Sequence, residues 1–349
     1  MTPFYVQYNK EGENMLEKIK ITIPKNTYDI LIKDCENFGF KKVNDSLNKN
    51  LFLNTLIINY YERFSANEEQ FKEKLLKVIN DNVCNNQNEL LDQLLTIIQK
   101  NESIDNNKET EIINLKPTKL SEKHILFIEN NLIGNNSISS YYRNLFTSYA
   151  HIPQNFRELI IFKDSYETIM ESIEKDRTVC ITLNNNDMIK DVSIYKIDSS
   201  KEELFNYVLA YTGHSLLTIR LSKIKYVSLL NTKRSITEDA ILTFERQIKY
   251  GVQYPFYTPY DEPVIVKLTD KGKQLFEKIY LYRPIPDKIE GNLYHFHCSH
   301  NQVSHYFKRF GKDGVIISPL SLVDAMKRYY YISSKKYDKV LSKTEKPDY

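Results

Sequence analysis

The chain has 349 residues, with 48 Lys and Arg against 45 Asp and Glu, and four cysteines. At roughly 150 residues per domain this makes two or three domains, enough to bury a sizeable core. No stretch reaches the ~18 apolar residues of a membrane span, and no basic-then-apolar leader opens the chain. Cys35, Cys84, Cys180 and Cys298 form no CxxC pair, so the expectation is a cytoplasmic globular protein with reduced thiols and no membrane partner.

Charge is unevenly spread. Residues 65–115 carry a net −5 and residues 201–349 a net +8. The C-terminal half is the better place for an anionic partner.

Residues 17–23, EKIKITI, alternate in polarity. Lys18, Lys20 and Thr22 share one face, and Ile19, Ile21 and Ile23 share the other, the pattern of a half-buried strand. Pro24 ends it. Asn26 is read as the N-cap of a helix from Thr27 to about Asn37, stopped at Gly39. A second helix covers about residues 50–64, with Leu53, Leu56, Ile57, Tyr60 and Tyr61 inward.

This strand–helix–helix order resembles the ribbon-helix-helix DNA-binding family over residues 17–64. The resemblance implies a two-stranded ribbon in the major groove of double-stranded DNA. It places Lys18, Lys20 and Thr22 at base edges, and Asn48, Lys49 and Asn50 near backbone phosphate. The physics agrees: a ribbon fits the major groove, and a helix N-terminus attracts phosphate.

A lone strand needs a partner. That partner is either a second copy of the chain or an internal segment. EIINLK at 111–116 reads as a strand, 119–131 as a helix ended by Gly134, and Ser137 caps a further helix through Tyr149. The order repeats at a spacing of about 90 residues, which turns Asn114 and Lys116 outward. Between the repeats, residues 67–100 read as two amphipathic helices split near NVCNNQN.

Residues 156–175 read as helical. RTVCITL, MIKDVSIYKID, FNYVLAY and LLTIRLSKI follow as short strands, a strongly bent sheet or partial barrel. The run from Tyr207 to Ile224 resembles the WYL domain, a bacterial regulatory domain built on an Sm-like β-barrel. The family's namesake triplet falls on Asn206, Tyr207 and Val208, followed by Leu209, Ala210 and Tyr211. Its later Arg-Leu-Asp-Arg-Ile appears as Arg220, Leu221, Ser222, Lys223 and Ile224, so the family's Trp and Asp are absent. VKLTDKGKQLFEKIYLYRPIPD, YHFHCS and QVSHYFKRFG resemble the extension that often follows such domains.

The resemblance implies a nucleotide or single-stranded nucleic-acid effector held by Tyr207, Tyr211, Arg220, Ser222 and Lys223. The residue types suit it, since Arg and Lys donate to phosphate and an aromatic beside Arg stacks a base. The alternative is structural, with both tyrosines in the core and Arg220 in an ion pair.

HFHCSH at 295–300, followed by His305, has metal-ligating residue types. Strand alternation sends Cys298 away from His295 and His297, so no metal or cofactor is expected. No phosphate loop, nucleophile elbow or zinc-protease motif is present, and no enzyme activity is expected. The expected architecture is α+β. A ribbon-helix-helix unit occupies 1–64, a helical connector 65–110, a second such unit 111–155, the WYL barrel 156–232 and a C-terminal α/β extension 233–349. The expected function is a homodimeric bacterial transcriptional regulator. The alternative is an RNA-binding accessory protein of a type VI CRISPR system, a setting in which WYL proteins with a similar arrangement occur.

Overall fold

A computed structural model describes residues 17–81, 90–91, 94–95, 109–134, 136–256 and 262–344. Among the described residues no helix is long and apolar enough to cross a membrane. Helices and antiparallel sheets are both present, and the chain divides into two compact units, Met1–Tyr166 and Glu167–Tyr349.

In the first unit, β1 (Ile19–Pro24) pairs antiparallel with β2 (Thr110–Leu115), so the ribbon closes within one chain. Helices α1 (Lys25–Asn37) and α2 (Lys49–Asp81) follow β1. Helices α3 (Glu122–Asn131), α4 (Ile138–His151) and α5 (Gln154–Ile161) follow β2. Ile19, Ile21, Ile23, Ile113 and Leu115 are buried on one ribbon face, with α4 packed against β1.

Two local expectations are corrected. Helix α1 opens at Lys25, because Pro24 holds the helix-entry position with its fixed φ. Asn26 therefore lies inside the first turn, its oxygen accepting the Thr27 N–H at 2.8 Å instead of capping the helix. Helix α2 runs without a break past Phe64 to Asp81. The Ser65–Ala66–Asn67 step holds no Gly or Pro to stop it. Leu75, Leu76 and Ile79 carry the apolar stripe onward to Leu90, Leu91, Leu94 and Leu95. The break expected at 82–88 lies outside the described residues.

A buried clamp fastens α1 to the helices that follow β2. Asp34 is fully buried. Arg157 donates to its carboxylate at 2.6 and 2.9 Å, and the Tyr149 hydroxyl donates at 2.9 Å. Burial and the Asp34 charge push the Tyr149 phenol well above its ordinary range. Arg157 thus belongs to the first unit, although the sequence places it in the region that follows. The helix expected over 156–175 is broken at Phe162 into α5 and α6 (Lys163–Glu174).

In the second unit, β3 (Arg177–Leu183), β4 (Met188–Ser199), β5 (Asn206–Tyr211), β6 (Leu216–Arg220) and β7 (Ile224–Lys233) form one sheet. Their order is β6-β5-β4-β3-β7, all antiparallel. No ladder joins β6 to β7, so the sheet is open where a barrel was expected. Closure needs tilted, staggered strands that meet, and β6 ends after five residues in a 3₁₀ turn, Leu221–Lys223. Helix α7 (Glu238–Tyr250) covers one sheet face, Phe244 stacking on Tyr195 with ring centroids 5.3 Å apart.

The rest of the second unit is β8 (Val264–Leu268), α8 (Asp270–Lys278), β9 (Lys288–Glu290), β10 (Leu293–Phe296), α9 (His300–Phe307), β11 (Gly314–Ser318) and α10 (Leu320–Thr344). The sheet order β11-β8-β10-β9, antiparallel throughout, is a split βαβ arrangement. Gly272 lets α8 approach closely, since a Cβ there would sit 2.0 Å from the Asp313 carbonyl oxygen.

Candidate nucleic-acid interface

The outward ribbon face follows from alternation. Lys18 and Lys20 are exposed and Thr22 is half-buried. The register sets Lys20 opposite Asn114 and Thr22 opposite Ile112. Asn114 and Lys116 are exposed, and Ile112 keeps 50% of its surface in solvent. Ile112, an apolar residue, carries no polar signal in the sequence, although the same alternation that turns Asn114 outward turns it outward too.

The residues expected at the start of α2 have divided roles. Asn48 caps the helix, its side-chain oxygen accepting the Leu51 N–H at 3.2 Å. Lys49 is exposed, and its Nζ lies 2.9 Å from the Tyr28 hydroxyl. Asn50 is half-buried and its side-chain amide is already engaged. It accepts the Lys116 N–H at 2.9 Å and donates to the Lys116 carbonyl at 3.0 Å. Asn54 donates to the same carbonyl at 3.0 Å and accepts from the Ser121 hydroxyl. These two asparagines tie the exit of β2 to α2.

The other helix pair does the equivalent job for β1. Ser137 caps α4 by accepting the Ser140 N–H at 3.1 Å, and Arg143 Nε donates to the Thr22 carbonyl at 2.6 Å. Each second helix therefore carries a side-chain cap, Asn48 or Ser137, and further along a donor to a backbone carbonyl, Asn54 to Lys116 just past β2 and Arg143 to Thr22 in β1. The backbone is held from behind, and the outward side chains take no part in holding it.

The second set of candidates lies on the five-stranded sheet. Tyr207 and Arg220 are direct cross-strand partners, so their side chains share a face. The Tyr207 hydroxyl donates to Glu203, and the Arg220 guanidinium stacks on the Phe205 ring. Tyr211 lies at the far end of β5, its hydroxyl donating to the Gly213 carbonyl at 2.7 Å. Both tyrosines are half-buried against Leu209 and the α7 cluster. Ser222 and Lys223 sit in the 3₁₀ turn, Ser222 buried and Lys223 exposed. The structure thus brings Tyr207 and Arg220 together and sets the other three apart.

Glu203 and Phe205 had no signal in the sequence. They arrive through a tight turn in which Ser200 Oγ accepts the Glu203 N–H at 3.1 Å and Leu204 takes a left-handed φ of 57°. The neighbouring Glu202 accepts the Tyr282 N–H at 2.9 Å and the Gln253 amide at 2.8 Å, and burial raises its carboxyl pKa.

The histidines near β10 are paired separately. His295 Nε2 lies 3.2 Å from Glu290 and His297 Nδ1 lies 3.1 Å from Asp287. Cys298 is buried, which pushes its thiol up to about 12.

No family model matches the chain, and no curated protein matches it. A crystal structure of a CRISPR Cas-related protein matches with a TM-score of 0.65 and 21% identity, covering 95% of this chain and 97% of that one. The two chains share a fold. Proteasome accessory factor B/C (PafBC) of Arthrobacter aurescens overlaps at a TM-score of 0.26 and 13% identity, over 65% of this chain and 37% of that one; the overlap carries no argument.

Proposed function

We propose that this chain is a non-enzymatic, CRISPR-associated regulator that binds duplex DNA through a ribbon-helix-helix-type ribbon and takes an anionic effector on a WYL-type sheet. The observation that carries this reading is the ribbon completed inside one chain, with Lys18, Lys20 and Lys116 exposed. A two-stranded ribbon of this kind fits the major groove, and its lysines neutralise backbone charge. On the sheet, Tyr207 beside Arg220 offers a stacking surface and a cation together. The chain shares its fold with a CRISPR Cas-related protein, and the CRISPR association of this proposal comes from that likeness. The homodimer expected from the sequence is not needed to complete the ribbon, which closes within one chain.

A second reading stands beside the first, an RNA-binding accessory protein whose sheet grips single-stranded RNA, with Tyr207 and Arg220 as cross-strand neighbours on that sheet. Competition between duplex DNA and single-stranded RNA for the full chain separates the two. The regulator reading expects duplex binding that Lys18→Ala/Lys20→Ala removes. Single-strand binding alone, lost in Tyr207→Ala/Arg220→Ala and untouched by the lysine pair, rejects it in favour of the accessory role.

A further inference from the structure

A ribbon built from two copies of one strand presents the same side chains on both sides of its two-fold axis. This ribbon does not. Ile21 pairs with Ile113. A two-fold axis through that pair carries buried Ile21 and Ile23 onto buried Ile113 and Leu115. The same operation carries Lys18 onto Thr110, Lys20 onto Ile112 and Thr22 onto Asn114. One strand therefore offers two cations and a hydroxyl, and the other a hydroxyl, a branched aliphatic and an amide.

These groups recognise different bases. In the major groove Lys donates to guanine O6 and N7, Asn pairs with adenine N6 and N7, and an apolar side chain packs on the thymine methyl. Ile112 is placed for the last of these, half exposed on a polar face opposite Thr22. Asn114 is exposed opposite Lys20.

We propose that the ribbon of a single chain reads a DNA element without dyad symmetry. Ile112 and Asn114 determine specificity for its A·T-containing side, and Lys20 faces its guanine-containing side. The inference rests on the ribbon being the duplex-binding surface.

Selection from a randomised duplex pool by the full chain, with sequencing of the bound fraction, tests it. The wild-type chain is expected to enrich a non-palindromic element. Asn114→Ala is expected to lower the preference for adenine about ten- to a hundredfold at one position, on one side only. Ile112→Lys combined with Asn114→Thr makes the two strands alike at these positions, and its enriched element is expected to become palindromic. Both sites are solvent-exposed, and thermal melting of the double variant confirms that the fold persists. A palindromic wild-type element, or one that the double variant leaves unchanged, overturns this proposal while duplex binding stands. A pool with no duplex enrichment at all sinks the duplex reading and this proposal with it.

Discussion

The ribbon and the five-stranded sheet carry their candidate residues in opposite ways. On the ribbon the strand backbone is held from behind by Asn50, Asn54 and Arg143, and the outward side chains take no part in holding it. On the sheet the candidates are already engaged: Tyr207 with Glu203, Arg220 with Phe205 and Tyr211 with the Gly213 carbonyl. A preformed face loses little beyond hydration and side-chain freedom on binding. An engaged face must exchange partners, so its affinity is reduced by the cost of releasing them. Under the proposed function the ribbon binds as it stands, and the sheet exchanges contacts first.

The largest effect is expected from breaking the clamp beneath the ribbon. Asp34→Ala leaves Arg157 buried without its carboxylate and is expected to cost about 3–5 kcal/mol, read from the urea unfolding curve of the full chain. A loss near zero would mean that the ribbon unit is held by apolar packing alone. Next comes Asn54→Ala, which strips a donor from the Lys116 carbonyl and an acceptor from Ser121. It is expected to cost about 1–3 kcal/mol by the same measurement.

On the sheet, Glu203→Gln sharpens the contrast. Removing a negative charge beside Tyr207 is expected to tighten binding of a short single-stranded oligonucleotide roughly fivefold, about 1 kcal/mol. The same change is expected to leave duplex binding at the ribbon unaltered. Weaker single-strand binding would show that Glu203 positions Tyr207 productively instead of competing with the ligand.

The smallest effect is a pH dependence in the second unit. Burial works to raise the Asp287 carboxyl, but donors from Tyr250 and His297 outweigh it and hold it below its ordinary value of 3.8. A depressed carboxylate adds stability above its unfolded pKa and loses it as pH falls through the folded one. The wild-type unfolding midpoint is therefore expected to exceed that of Asp287→Asn at neutral pH, with the gap closing as the solution is acidified below pH 3.8.

The alternation in EKIKITI and EIINLK made both ribbon strands and their outward faces legible, because a period of two is a local property. Which strand closes the ribbon was open, since the pairing of Ile21 with Ile113 joins segments far apart in the chain. The length of α2 was hidden by Ser65 and Asn67, polar residues that a helix tolerates. On the sheet, Tyr207 and Arg220 were expected within one site, but their pairing as direct cross-strand partners depends on a register the sequence did not set. Glu203 and Phe205 were not foreseeable, because a left-handed Leu204 is an uncommon conformation that no local rule predicts. The open sheet was missed because strand count alone does not decide closure.

Under the proposed function the outward ribbon lysines meet a nucleic-acid duplex. Binding of the full chain to an enriched duplex, followed across a salt series for wild type and Lys18→Ala/Lys20→Ala, tests it most directly. Log affinity is expected to fall linearly with log salt, with a slope shallower by roughly 2 in the variant as two counterion-releasing contacts are lost. Equal slopes and equal affinities for the two proteins would contradict it.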